Sequence, residues 1–434
     1  MRALLSILRA ILVLLWTGCA DGDSGLNTGN VSAGFGGAAA IGGGAGLAGN
    51  AGAGAGGIAP GGMGGGGAGG VSGVASGMGD ATGGDGSGAR GSEGNDAGGD
   101  MRDAGVVDAG SDGGGSDITC DVPTTLKWKS SGVLVSPKSN GSHQLVSVKD
   151  PTIVFHDGAY QVYATTASTA GNWSMVHLSF EDFDTAKDAP HYYMDATPGF
   201  SGYHCAPNLF YFEPDGLWYL VQQSQPPQYS TSSDPSDPSS WTAPKYFYPS
   251  GNHLPAGAPS LPIDYWVICD DATCHLFFTG DDGRLYRAHT AIGDFPSGFG
   301  DIETVLMQGK FELFEGSAHY KVKGRDQYLT IIEAIGAGGR FYKSWTASSL
   351  EGPWTPLAAT EQEPFAGKAN VSYEAGVSDW TDDVSHGEII RDGFDQTMTI
   401  DACNLRFLYQ GRNPGSGGEY SQLPYRLGLL TLDP

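Results

Sequence analysis

The stretch Lys149-Asp-Pro-Thr-Ile-Val154 decides the fold because four others resemble it. They are Cys205-Ala-Pro-Asn-Leu-Phe210, Pro262-Ile-Asp-Tyr-Trp-Val267, Phe314-Glu-Gly-Ser-Ala-His319 and Ser385-His-Gly-Glu-Ile-Ile390. With Asp150, Ala206, Asp264, Glu315 and Gly387 as markers, the intervals are 56, 58, 51 and 72 residues. Each opening leads into a strand-like run and then a hairpin. His156-Asp-Gly158 separates Thr152–Phe155 from Tyr160–Ala164, and Glu213-Pro-Asp-Gly216 separates Leu209–Phe212 from Leu217–Gln222. Such apolar runs broken by turn residues are hairpin signals. Outer strands are predicted at Arg284–His289 and Phe341–Thr346, and long helical periodicity is absent. A period of this size with about four short strands per unit predicts an all-β, five-bladed β-propeller. A β-sandwich and a solenoid are the alternatives.

The rest of the chain has a different texture. Of 434 residues, 70 are glycine, and 39 of those fall between residues 21 and 120. That segment has no Trp or Tyr and a single Phe, Phe35. It cannot bury enough apolar area to offset its ordering entropy, so residues 20–117 are predicted to form a disordered tether. The folded domain is then 118–434. Residues 1–19 read as an export signal: Arg2 and Arg9 flank a short apolar beginning, too short to span a bilayer. Thr17-Gly-Cys19 resembles a bacterial lipobox, with Trp16 where Leu is usual, so Cys19 is a candidate lipid anchor. The expected location is extracellular or at the cell surface, with membrane contact only through Cys19. The formal charge of -25, with no basic stripe, argues against a nucleic-acid partner.

Export makes disulfides plausible. Cys269 and Cys274 flank the turn-rich Asp270–Thr273, so a local bridge is expected. Cys120 opens the folded region and Cys403 lies near its end, and a bridge between them would tie the ends together. Cys205 is left outside both and is expected to be buried. Zinc-type spacing of Cys and His is missing.

Inner strands of a propeller line its axis, so Asp150, Asp264 and Glu315 are predicted to meet in one pocket. Like charges held together cannot all ionise easily, which separates a base from a protonated acid. Glu315 follows Phe314 and opens a strand, where apolar neighbours disfavour the charged form. Lys149 would hold one carboxylate charged or reach a sugar hydroxyl.

These motifs resemble glycoside hydrolase family 62, the α-L-arabinofuranosidases acting on arabinoxylan. The likeness runs from Cys120 to Leu432. It rests on Cys120-Asp-Val-Pro123, Val148-Lys-Asp150, Cys205-Ala-Pro-Asn-Leu-Phe-Tyr-Phe212, Tyr229-Ser-Thr-Ser232, Ile263-Asp264, Val267-Ile-Cys-Asp-Asp271, Leu313-Phe-Glu315, Ser385-His-Gly-Glu388, Leu408-Tyr-Gln-Gly411 and Gln422-Leu-Pro-Tyr-Arg426. The resemblance implies a five-bladed propeller with Asp150 as general base, Glu315 as general acid and Asp264 tuning Glu315. It implies inversion, for which the Asp150 and Glu315 carboxyls would stand roughly 6.5–9.5 Å apart. It also implies a central ion, calcium, held by His386 and water, and sugar contacts from Gln422, Tyr425 and Tyr420. Closure of the last blade is the competing role for those three. No organic cofactor is implied, and a monomer is expected.

One departure stands out. After Tyr219-Leu-Val-Gln222 the family commonly has a pocket Trp, where this chain has Gln223-Ser-Gln-Pro-Pro227. Arabinanase or xylosidase activity on a similar scaffold is the alternative chemistry. A carbohydrate-binding propeller without turnover would have lost a carboxylate, and none is lost.

Overall fold

A computed structural model describes residues 119–433 apart from 225 and 249–253. The predicted leader (1–19, with Cys19) and tether (20–117) lie outside the described residues. Five antiparallel sheets, formed in chain order, make the five predicted blades. Their inner strands are Leu145–His156, Cys205–Phe212, Ile263–Cys269, Glu315–Val322 and Ser385–Ile389, one for each opening read from the sequence. Blade 1 continues outward through Ala159–Ser168, Trp173–Phe180 and Tyr192–Tyr193. Blade 2 continues through Leu217–Gln223, Gln228–Ser232 and Lys245–Tyr246, and blade 3 through Thr273–Thr279, Arg284–Ala291 and Glu303–Met307. Blade 4 adds Tyr328–Gly336, Gly339–Ala347 and Thr355–Pro356, with Thr399–Ile400 pairing parallel to its inner strand. The predicted outer strands are thus third strands, each covered by a short fourth.

Inner strands pack against neighbouring blades as well as their own, so their burial does not alternate; Ser147 to Val154 is buried without a break. The first hairpin turns on Asp157 and Gly158, both left-handed (φ 49° and 81°), as a two-residue turn of this kind requires.

Blade 5 closes the ring. Arg406–Gly411 and Arg426–Leu432 follow its inner strand, and Trp128–Ser130 then adds antiparallel to Arg426–Leu432. Val371–Tyr373 completes the edge. Trp128 is fully buried, and its indole Nε1 donates to Phe365 O at 2.5 Å. The disulfide Cys120–Cys403 spans 283 residues, and Cys269–Cys274 closes its hairpin as expected. The ends are therefore tied by a shared sheet as well as by sulfur. Away from the openings, the buried Arg391 ties three blades together. Its Nε lies 2.6 Å from Glu388 Oε1, and its Nη2 donates to Ile153 O and Leu209 O.

Candidate active site

Every inner strand carries one extra residue at the same level. Pairing shifts between Lys149 and Thr152, Cys205 and Asn208, Ile263 and Trp266, Glu315 and Ala318, and Ser385 and Gly387. Asp150, Ala206 and Asp264 are left-handed there (φ 47°, 43° and 57°), and Gly316 shares the conformation (φ 62°). Non-glycine residues in this region carry strain of about 1–3 kcal/mol each. A Cβ at Gly316 would stand 3.0 Å from Tyr342 Oη, so crowding favours glycine there as well.

This register corrects one expectation. Asp150 and Asp264 are equivalent, and His386 occupies the same level in blade 5. Glu315 lies one residue earlier, level with Lys149. The equivalent of Asp150 in blade 4 is Gly316, which has no side chain to mark it.

The bulged residues are clasped from the preceding blade. Ala206 N donates to Thr165 Oγ1 at 2.8 Å, Asp264 N to Gln223 Oε1 at 3.1 Å, His386 N to Glu333 Oε2 at 2.7 Å, and Asp150 N to Gln410 Oε1 at 2.6 Å. Thr165, Gln223, Glu333 and Gln410 hold one register position, opposite Lys149, Cys205, Glu315 and Ser385. Blade 3 departs from the pattern. Its residue at that position is Thr279, whose hydroxyl makes no hydrogen bond among the described residues. Gly316 N donates instead to Asp264 Oδ2 at 2.8 Å. Asp264 is thus fastened to the amide next to Glu315.

The three acids come together as predicted. His386 Nδ1 lies 3.4 Å from Asp150 Oδ1 and 3.7 Å from Asp264 Oδ2. Asp150, Asp264 and Glu315 are each buried. Burial, and then the charges of Glu315 and Asp150, hold the Asp264 carboxyl well above the usual carboxylate range. Lys149 Nζ stands 3.5 Å from Asp150 Oδ1 and donates to Tyr420 Oη at 2.7 Å. It also lies 4.8 Å from the Trp173 ring and 5.8 Å from that of Tyr425.

Tyr420, Tyr425 and Gln422 divide. Tyr420 reaches the site through Lys149. Tyr425 is buried, and its hydroxyl has no hydrogen-bond partner among the described residues. Gln422 Nε2 donates to Ser168 O at 3.3 Å, stitching the last blade to the first. At the place where this chain departs from the family's usual pocket Trp, Gln223 Nε2 donates to Tyr203 Oη at 2.7 Å. Tyr203 and Trp173 pack on Cys205 and Ala206, so aromatic surface is supplied here from other elements. Cys205 is buried and belongs to neither disulfide.

Sequence reasoning missed Arg340, Glu333 and Asp281. Arg340 Nη1 contacts both Glu315 Oε1 and Glu333 Oε1 in close ion pairs, and its guanidinium lies 5.2 Å from the Phe314 ring. Phe314 therefore flanks a cation beside Glu315, and the surroundings are less apolar than expected. Glu333 is fully buried, and burial pushes its carboxyl up to about 7 against the pull of Arg340. A visible signal existed: Glu333 interrupts the apolar run Ile331-Ile-Glu-Ala-Ile335, where an acid needs a partner.

His386 offers one imidazole beside the two aspartates. Among the described residues, no group of three or more His, Cys, Asp or Glu side chains is arranged to hold a metal. Calcium takes about six to eight oxygen ligands, so the residues present do not by themselves make its site.

The family description Glycosyl hydrolase family 62 matches residues 127–431. Alpha-L-arabinofuranosidase C from Cellvibrio japonicus is 44% identical over 317 residues, 72% of this chain. The chain spans about half the length of that curated relative, 48%. The catalytic domain of the Coprinopsis cinerea GH62 alpha-L-arabinofuranosidase superposes with TM-score 0.68 at 44% identity, over 71% of this chain and 98% of that one. The alpha-L-arabinofuranosidase from Podospora anserina, solved with cellotriose, gives 0.69 at 44%, over 73% and 99%. A GH62 hydrolase solved with xylotriose gives 0.67 at 43%, over 71% and 98%. The matched span takes in all five inner strands and the three converging acids, and the chain belongs to glycosyl hydrolase family 62.

Proposed function

We propose that this protein is an inverting α-L-arabinofuranosidase that removes arabinofuranosyl side chains from arabinoxylan. The observation that carries the reading is the meeting of Asp150 and Asp264 at His386, with Asp264 fastened to the amide that follows Glu315. Asp150 takes a proton from the attacking water as its oxygen bonds to the anomeric carbon. Glu315 delivers a proton to the glycosidic oxygen as that bond breaks, and the xylan hydroxyl leaves. Burial, and then the charges of Glu315 and Asp150, oppose ionisation of Asp264, which supports a role for Asp264 beside the acid rather than as the base. Lys149 and Tyr420 wall the side of the pocket nearest the base.

The test is release of free arabinose from arabinoxylan, without xylose from xylobiose. Glu315→Gln should abolish turnover and spare binding, and an active variant would remove Glu315 from its role.

Three further proposals rest on sequence and resemblance. A calcium ion at His386 would draw most of its ligands from water, and no step above runs through it; equilibrium dialysis against calcium checks it. The leader and Cys19 support export with lipid attachment, checked by mass spectrometry of the mature N-terminus. A monomer is expected by light scattering.

A further inference from the structure

Asp281 sits at the tip joining Thr273–Thr279 to Arg284–Ala291 in blade 3, with a left-handed backbone (φ 52°). The tip is wedged in place. A Cβ on Gly280 would stand 2.5 Å from Pro259, and one on Gly283 would stand 2.5 Å from Gln308 O. Pro259 lies on the approach to Asp264, and Gln308 on the approach to Glu315. The tip is therefore lodged between the two segments that deliver those carboxyls.

Asp281 Oδ1 is buried there without a hydrogen bond among the described residues. A strained backbone and an unsatisfied buried oxygen both cost stability, and among the described residues no hydrogen bond to Oδ1 offsets them. Such features concentrate at ligand-holding sites. Burial, then Glu315 and Asp264, push the carboxyl up to about 8. At neutral pH it is mostly protonated, with an O–H to donate and a carbonyl oxygen to accept. A sugar hydroxyl needs both.

We propose that Asp281 is a substrate-binding residue that hydrogen-bonds a hydroxyl of the pentose seated between Asp264 and Glu315. This rests on the arabinofuranosidase reading and adds to it a wall of the pocket drawn from a turn tip.

The experiment uses the full chain on arabinoxylan with two variants. Asp281→Gly removes the carboxyl and tolerates the left-handed backbone, so it should melt no lower than wild type. Its kcat/KM should fall roughly 10- to 100-fold, chiefly through KM. Asp281→Asn accepts the same backbone, restores a neutral donor and acceptor, and should recover most of that loss. A KM unchanged in Asp281→Gly overturns the proposal, as does an Asp281→Asn as impaired as the glycine variant. Wild-type protein that releases no arabinose overturns the functional reading and this inference with it. Active wild type with an indifferent Asp281→Gly overturns the inference alone.

Discussion

Glu333 pairs in register with Glu315 across the blade 4 hairpin, and one nitrogen of Arg340 contacts both carboxyls. Glu333 also accepts from Ser385 Oγ at 2.9 Å and from His386 N. The pair joins Glu315 to the bulge that carries His386. Removing Arg340 would leave two buried carboxyls without their cation. Arg340→Leu should cost roughly 3–5 kcal/mol of stability above pH 7. Glu333 has its carboxyl raised, so the fold binds its proton more tightly than the unfolded chain. Its contribution to stability is present at low pH and is lost as pH rises toward about 7. Without Arg340 that loss deepens. The deficit in melting temperature should therefore be largest above pH 7 and shrink toward pH 5; a pH-independent deficit would contradict the ion-pair account.

Gln410 performs two tasks in one amide, accepting from Asp150 N and donating to Ser385 Oγ at 2.9 Å. Gln410→Ala leaves the buried Asp150 amide unsatisfied and strips the Ser385 hydroxyl of one of its two partners, a loss of about 1–3 kcal/mol. The released bulge carries the proposed base. Turnover should fall with KM little changed, measured by steady-state kinetics beside a thermal melt.

Asp264→Asn separates geometry from charge. An asparagine Oδ1 still accepts from Gly316 N, so the local backbone stays fastened. The ionisable group is lost, and with it the proposed action of Asp264 on Glu315. The kcat should fall about 100-fold or more. Because burial and like charges oppose ionisation of Asp264, the variant should melt no lower than wild type at neutral pH. Full activity in this variant would strip Asp264 of its role.

The repeat was legible because each blade must open an inner strand and turn a hairpin, and both leave composition marks at about one interval. The convergence of the acids followed from the same periodicity. The level of Glu315 was not legible, since the true marker in blade 4 is Gly316. Arg340 and Asp281 escaped for a different reason. They reach the pocket from a third strand and a turn tip, and those positions depend on pairing that no local pattern encodes. The strand at Trp128 was also missed, because its neighbours are Val371–Tyr373 and Arg426–Leu432, hundreds of residues away.

His177 offers a test of the acid side of the stability profile. It is buried, and Nε2 lies 3.0 Å from Gln161 Oε1. Burial lowers its pKa to about 4. The unfolded chain takes up this proton near pH 6.5, before the fold does. The contribution is therefore intact above pH 6.5 and is lost as pH falls toward 4. His177→Gln should flatten this part of the profile by about 2–3 kcal/mol, seen as a smaller drop in melting temperature between pH 7 and pH 4.5.

Trp128 tests how the ring is held. The strand Trp128–Ser130 lies between Arg426–Leu432 and Val371–Tyr373, so it joins the start of the propeller to its end through two ladders. Its indole packs edge-on to Phe365 at 5.5 Å. Truncation to Ala should cost about 3–5 kcal/mol through the cavity and the lost indole hydrogen bond. The Cys120–Cys403 bridge would persist in that variant, so the comparison isolates the strand from the disulfide. If the sheet is what closes the ring, Trp128→Ala should loosen blade 5 first. Hydrogen exchange at Leu427, Leu430 and Tyr409 should then quicken before exchange in blades 2 and 3, whereas uniform quickening across all blades would mean that closure depends on the ring as a whole.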